Sequence, residues 1–228
     1  MNYLEFPLEE HLSRFIYRVF GFMAIALAIT AATACYVSTV PAIYLQFQQP
    51  MTLFGLFILQ ITFVLILSFF ILQLPTAVAI IIFFLYAISL GFTLSIIFLI
   101  YAQASIYTAF LVASSMFAAM ALYGYFTRTD LTVFGNMLFM ALIGLIVGLL
   151  VNMFLRSPMI DYALSVVGVI IFTVLTAYDV QRLKQLAQQL MADHETMNKI
   201  AVLGALTLYL DFINLFLYLL RFMGRERK

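Results

Sequence analysis

Seven apolar segments follow one another along this chain of 228 residues. A helix of about 20 residues spans the hydrocarbon core of a bilayer, and each segment has about that length. Only 9% of the residues are charged and the mean hydropathy is +1.13, whereas soluble domains are about one-quarter charged. We therefore predict an all-α polytopic membrane protein with seven transmembrane helices. The predicted spans are Val19–Val40, Met51–Leu72, Ala77–Ile100, Ile106–Phe126, Leu131–Leu155, Tyr162–Gln181 and Ile200–Leu220.

The connections between these spans are short and leave no room for a soluble domain. We predict one membrane domain over residues 19–222, an N-terminal tail over residues 1–18 and a basic C-terminal tail over residues 223–228. The longest connection, Arg182–Lys199, carries leucines on one face. That pattern predicts an extension of the sixth helix along the membrane surface.

The orientation follows from the basic residues, which accumulate in cytoplasmic segments. Arg14 and Arg18 precede the first span, so we expect a cytoplasmic N-terminus. Seven complete spans place six basic residues inside and five outside, whereas a re-entrant seventh segment places ten inside and only Arg156 outside. The charges favour the re-entrant arrangement and the length of the segment favours a complete span, so both stay open.

Several classes of function lack their sequence signals. The net charge is +1 and no basic helical face is visible, so nucleic acid is not an expected partner. Cys35 is the only cysteine and cannot form an internal disulfide. Nucleotide-binding loops, metal-ligand clusters and Ser/His/Asp sets are not visible. We therefore expect neither an enzyme nor a resident cofactor.

Two aspartates, Asp179 and Asp211, are the charged residues within the predicted spans. A carboxylate near the bilayer centre costs about 2.5–3.5 kcal/mol on insertion scales, so it persists where it faces the bundle interior, finds a partner or takes up a proton. Such residues are functional candidates for this reason. Asp179 has a structural explanation as well, because Arg182 follows at i+3 and can form an ion pair with it.

Each aspartate continues a small, polar helical face, as the 3.6-residue period shows. If the two faces meet inside the bundle, the carboxyl groups meet as well. The face on the seventh span consists of Gly204, Thr207, Asp211, Asn214 and Tyr218, and the face on the sixth of Ser165, Gly168, Thr176 and Asp179.

Two carboxyl groups held together in a medium of low dielectric constant cannot both ionise cheaply, so they share a proton and form a proton sensor. When both are ionised they attract a hard cation, and Ca²⁺ prefers oxygen ligands. We therefore predict a transient Ca²⁺ site at Asp179 and Asp211, supported by Asn214, Thr176 and Thr207.

Three stretches around these aspartates resemble the Bax inhibitor family, also called the transmembrane Bax inhibitor motif family. They are Thr176–Gln181, Leu206–Phe216 and the segment from Gly124 through Asp130 to Asn136. The similarity covers nearly the whole chain and looks closest to bacterial inner-membrane members, which implies that location.

The resemblance implies six helices in two three-helix layers around a central seventh, and a pH-sensitive calcium leak controlled by an aspartate pair that corresponds to Asp179 and Asp211. In the calcium-leak branch the second helix carries an acidic residue and a basic partner. This chain departs from that pattern, because Gln60 stands at the acidic position and residues 51–76 include no Asp, Glu, Lys or Arg. We expect Gln60 to be a polar neighbour of the pair.

Two other functions compete with the leak. One is a non-conducting regulator that binds membrane proteins, such as a quality-control protease, through residues 1–18, and the uncharged second helix favours it. The other is an intramembrane aspartyl protease, whose two aspartates also share a proton. Those enzymes carry glycine just before the second aspartate, whereas Leu210 precedes Asp211 here, so the protease is disfavoured.

Overall fold

The computed structural model describes residues 5–40, 49–189 and 193–225, apart from the side chains of residues 5–9 and 194. Within these ranges the chain is helical, and seven helices are long and apolar enough to cross a membrane. The predicted all-α, seven-helix class is confirmed. The helices are α1 (Glu5–Thr39), α2 (Pro50–Phe70), α3 (Thr76–Leu94), α4 (Gln103–Phe126), α5 (Gly135–Leu155), α6 (Pro158–Gln189) and α7 (His194–Met223), with a short helix at Ile97–Ile100 and a 3₁₀ turn at Leu131–Phe134.

A tight turn joins α5 to α6. Arg156 ends α5 in the left-handed conformation with φ of 51°, and the Asn152 side chain accepts a hydrogen bond from the Ser157 N–H. Pro158 then begins α6, where its fixed φ suits a first helical position. The turn brings α6 back along α5, so that a Cβ at Gly148 would lie 2.6 Å from the Leu164 side chain.

Helix α3 ends at Leu94, before the predicted Ile100, and three other helices extend well beyond the predicted spans. Helix α1 already begins at Glu5, so residues 5–18 of the predicted tail are helical. Helix α6 continues to Gln189, as the leucine pattern of the connection indicates. Helix α7 runs without a break over its 30 residues, about 45 Å of helix. A re-entrant break is therefore not found there, while the membrane side of each terminus stays a prediction.

The chain forms two compact units, and their boundary falls inside α7. The first unit contains Met1–Ile100 and Leu186–Tyr209, and the second contains Tyr101–Gln185 and Leu210–Lys228. In the first unit, α3 packs against both α1 and α2. The Tyr209 ring lies edge-on to the rings of Phe83 and Tyr86, at centroid distances of 5.8 and 5.9 Å.

The second unit has an aromatic core between α4 and the end of α7. Phe212 packs edge-on against Phe110 and Phe117, with a centroid distance of 5.6 Å for each pair.

Helix α7 is the most buried candidate span: 72% of its most apolar window is buried, against 11–44% for the other six. A helix enclosed by others requires such burial, whereas the exposed apolar side chains of α2 suit contact with lipid.

Candidate functional site

Helix α6 and the end of α7 run antiparallel within the second unit. At one end Asp161 and Arg221 form an ion pair of 3.3 Å. Further along, the Tyr218 ring stacks on Phe172 at 5.7 Å between centroids and covers Gly168, where a Cβ would lie 2.6 Å from the ring. Glycine at this position therefore permits the close approach of the two helices.

The two predicted acids meet along the same helix pair. The carboxyl groups of Asp179 and Asp211 are within hydrogen-bonding reach of each other, and the residues are only 8% and 5% exposed. Since ionised carboxylates are acceptors only, a hydrogen bond between them requires a proton on one. Among the described residues, Oδ2 of Asp211 is buried and has no hydrogen-bond partner. The pair is therefore a buried carboxyl dyad with spare acceptor capacity.

The face of α6 that leads to the dyad is buried, as the prediction of an inward polar face requires. Ser165 and Thr176 are fully buried, and Gly168 is buried as well. On α7 the pattern differs from a simple polar stripe. Thr207 and Asn214 are partly exposed. They belong to a narrow strip along the helix, and most other residues from 201 to 220 are buried.

Helix α4 touches the backbone of α6 beside the dyad. A Cβ at Gly124 would lie 2.2 Å from the carbonyl oxygen of Ala177, two residues before Asp179. A Cβ at Gly135 would likewise lie 2.8 Å from the hydroxyl of Tyr178. Small residues allow helices to pack at this distance in membranes, so Gly124 sets the position of α6 next to the dyad.

Gln181 ties the loop between α4 and α5 to the helix that carries Asp179. Its Nε2 donates to the Thr129 carbonyl oxygen and its Oε1 accepts from the Leu131 N–H, both at 2.8 Å. Lys184 adds a hydrogen bond of 2.8 Å to the Tyr125 carbonyl oxygen. We did not predict these roles from the sequence, although an amide inside an otherwise apolar segment was the available signal.

We expect Gln181→Leu to loosen this loop, because it leaves the Leu131 N–H and the Thr129 carbonyl without their partner. An unpaired buried polar group costs about 1–3 kcal/mol, so the amide of Leu131 should exchange with deuterium about tenfold faster. Hydrogen exchange in detergent micelles measures this change. Gln185→Leu on the same helix is the control and should leave the exchange rate unchanged, and equal rates in both variants would contradict the clamp.

The Asp179 carboxyl group lies within hydrogen-bonding reach of Asp211 and does not pair directly with Arg182. Arg182 is exposed and interacts with Asp179 at coulombic range. Within the part of the chain that the structure describes, the two do not form a salt bridge. The ion-pair explanation therefore does not account for the position of Asp179.

The three supporting residues on α6 and α7 donate to their own helices. Thr176, Thr207 and Asn214 each donate to the carbonyl four residues earlier, at 2.8, 3.1 and 2.9 Å. Hydroxyl groups in membrane helices often satisfy themselves in this way. Their oxygen atoms keep acceptor capacity, and a role beside the aspartates stays a prediction.

Gln60 lies on α2 in the first unit. Its Nε2 donates to the Ser89 carbonyl oxygen at 3.1 Å and to the Thr93 hydroxyl at 2.7 Å. The buried amide therefore links α2 to α3. These contacts explain a polar residue at this position without reference to the aspartates, and its predicted role as their neighbour stays untested.

The dyad offers a cation only two carboxyl groups as acidic ligands. Over the described residues, no group of three or more His, Cys, Asp or Glu side chains is placed to hold a metal. Ca²⁺ usually takes six to eight oxygen ligands. Two carboxyl groups with carbonyls and water suit a transient contact and not a high-affinity site.

Comparison with known proteins decides the family. The sequence profile described as inhibitor of apoptosis-promoting Bax1 matches residues 12–228. The chain belongs to the Bax inhibitor family. It is 46% identical over 218 residues to the inner membrane protein YbhL of Escherichia coli strain K12, covering 95% of this chain and 93% of that protein. It is also 44% identical to a protein of Borreliella burgdorferi, covering 94% of this chain and 93% of that one, and 42% identical to the protein RP147 of Rickettsia prowazekii, covering 96% and 92%.

The family resemblance seen around both aspartates is therefore confirmed, and it extends almost from end to end. With its seven long apolar helices, this Bax inhibitor family chain is a multi-pass membrane protein. In this family member the two aspartates of the recognised motifs form the buried dyad described above.

Proposed function

We propose that this member of the Bax inhibitor family is a pH-sensitive calcium leak, controlled by protonation of Asp179 and Asp211. One observation carries the proposal: the two buried carboxyl groups lie within hydrogen-bonding reach, and Oδ2 of Asp211 has no partner among the described residues. A proton holds such a pair together, and its loss leaves two like charges in one place.

The repulsion between the two ionised carboxylates is large enough for the dyad to act as a switch. Two unit charges 4 Å apart repel by about 4 kcal/mol at an effective dielectric constant of 20. A factor of ten in a two-state equilibrium corresponds to about 1.4 kcal/mol, so this repulsion shifts the equilibrium by more than a hundredfold. Deprotonation would therefore favour separation of α6 and α7 or capture of a cation, and either event promotes the passage of Ca²⁺.

We also propose that the protein resides in the bacterial inner membrane with its N-terminus in the cytoplasm. The relative in Escherichia coli is named an inner membrane protein. Arg14 and Arg18 precede the apolar part of α1, as basic residues do on the cytoplasmic side. Its partners are then the lipid bilayer, Ca²⁺ and protons, and we propose no enzymatic reaction for the dyad.

Calcium flux into dye-loaded proteoliposomes tests the leak. We expect the flux of the native protein to rise from mildly acidic to mildly alkaline pH, because deprotonation ionises the dyad. Asp211→Asn and Asp179→Asn should each flatten this dependence, since the one remaining carboxylate has no second negative charge to repel it. The matched control is Asp161→Asn on α6, which lies in a partly exposed ion pair and should keep the native pH profile. If the flux of both dyad variants still rose with pH as in the native protein, the dyad would be excluded as the switch.

A second function is favoured by the uncharged second helix. Residues 51–76 carry no Asp, Glu, Lys or Arg, and Gln60 is engaged with Ser89 and Thr93. This pattern suits a non-conducting regulator that binds membrane proteins or a quality-control protease. Folded native protein without flux above empty liposomes at any pH would support the regulator and reject the leak.

A further inference from the structure

A cavity opens between the start of α1 and the start of α7, within the first unit. It belongs to a different part of the protein from the aspartate dyad and does not depend on the proposed leak. Its lining residues come from α1 and from the first two turns of α7. The lining residues are His11, Arg14, Phe15, Arg18, Met197 and Asn198.

The cavity is lined by both basic and apolar side chains. Arg14, Arg18 and His11 line it, and none of the described lining residues is acidic. Phe15 and Met197 belong to the same lining and are buried. A site of this composition attracts an anion and can also bind an apolar group next to that anion.

Arg18 is held in place across the cavity. Its guanidinium group donates to Oδ1 of Asn198 on α7, so the side chain is oriented before any ligand arrives. The amide nitrogen of Asn198 adds a further donor to the lining. Arg14 instead pairs with Glu10 one turn earlier, and both of these side chains are about two-thirds exposed. Exposed ion pairs of this kind are weak, so Arg14 can exchange Glu10 for an incoming anion.

The position of the cavity next to the apolar part of α1 indicates where the anion comes from. Arg14 and Arg18 directly precede the apolar run that begins at Val19, and this position corresponds to the headgroup region of a bilayer. Arginine binds phosphate oxygens through two parallel N–H groups. Basic pockets between membrane helices bind anionic headgroups in this way.

We propose that this cavity binds a phosphate group, with Arg18 and Arg14 as its ligands, and that the group belongs to an anionic phospholipid headgroup. Phe15 and Met197 would contact the apolar part of the same lipid. Free inorganic phosphate shares the chemistry of the headgroup but has no acyl chains, so the two sources can be separated by experiment.

Native mass spectrometry of the purified full chain in detergent tests the proposal, with phosphatidylglycerol as the probe. We expect the native protein to retain one molecule of this lipid in preference to phosphatidylcholine. Arg18→Gln removes a charge-assisted hydrogen bond and should weaken binding about tenfold. Arg14→Gln, which removes the second proposed phosphate ligand, should weaken it as well. The charge-matched control is Arg128→Gln, an exposed arginine in the second unit, which should bind as the native protein does.

Addition of inorganic phosphate separates the two sources. If the lipid stays bound in excess phosphate, the ligand is the lipid headgroup. If phosphate displaces the lipid from the native protein, and phosphate binding is lost in Arg18→Gln, the cavity binds a soluble phosphate instead. Equal affinity for phosphatidylglycerol in the native protein, in folded Arg18→Gln and in folded Arg14→Gln would overturn the proposal.

Discussion

Replacement of Gly124 by alanine should destabilise the protein strongly. The added Cβ would lie 2.2 Å from the carbonyl oxygen of Ala177 and 2.9 Å from its Cα. These are backbone atoms of α6, so rotation of a side chain cannot relieve the overlap and the helices must separate. Overpacking of this kind costs about 1–3 kcal/mol. The shift in the midpoint of thermal unfolding in detergent measures the effect.

Gly144→Ala is the matched control for this prediction. A Cβ at Gly144 meets nothing within 4 Å, and alanine has a higher helix propensity than glycine by up to about 1 kcal/mol. The same substitution should therefore be neutral or stabilising on α5 and destabilising on α4. Because Ala177 lies two residues before Asp179, the folded fraction of Gly124→Ala should also have an altered pH response of calcium flux. Equal unfolding midpoints for the two variants would show that α4 and α6 do not pack as closely as described.

Truncation of Tyr209 to alanine should cost about 3 kcal/mol of unfolding free energy, because the side chain is fully buried. Its ring contacts Phe83 and Tyr86 on α3. Its hydroxyl lies 2.6 Å from the hydroxyl of Thr30 on α1. The variant therefore loses dispersion contacts that the bilayer cannot replace. Equilibrium unfolding in mixed micelles with increasing SDS measures the loss.

Tyr209→Phe separates the packing of the ring from the hydrogen bond. Phenylalanine keeps the ring contacts and removes one hydroxyl. Thr30 then still lies 2.9 Å from both the Ala26 and the Ala87 carbonyl oxygens, so its hydroxyl keeps an acceptor. We expect a cost of about 0.6 kcal/mol, the average for hydrogen bonds between membrane helices. A loss as large as that of Tyr209→Ala would show that the hydroxyl, and not the ring, stabilises the first unit.

The number of helices could be predicted because a membrane imposes it. In lipid every backbone N–H and C=O must be satisfied within the segment, so an apolar run of about 20 residues has helix as its only stable form. The seven predicted spans accordingly correspond to seven helices. Their ends were less predictable. Helices α6 and α7 extend to Gln189 and Met223, since flanking polar residues continue a helix outside the apolar core without any hydropathy signal.

Some residues of the candidate site could likewise be predicted from the sequence, and others could not. Asp179 and Asp211 stand out in the sequence because a charge in an apolar run is costly, and their surrounding motifs indicated the family. The clamp by Gln181 and the basic cavity around Arg18 gave no comparable signal. Both depend on partners far away in the chain, Thr129 and Leu131 for Gln181 and Asn198 for Arg18.

The sequence by itself determined the all-helical class, the seven spans, the family and the two acids, because each follows from local apolarity or from motifs contiguous in the chain. Only the tertiary structure decided that the acids lie within hydrogen-bonding reach of each other, that α7 is continuous and that Gly124 touches the backbone of α6. Helix packing in a membrane rests on short-range contacts between small residues. Such contacts carry no periodic signal in the sequence and become visible only when the helices are placed side by side.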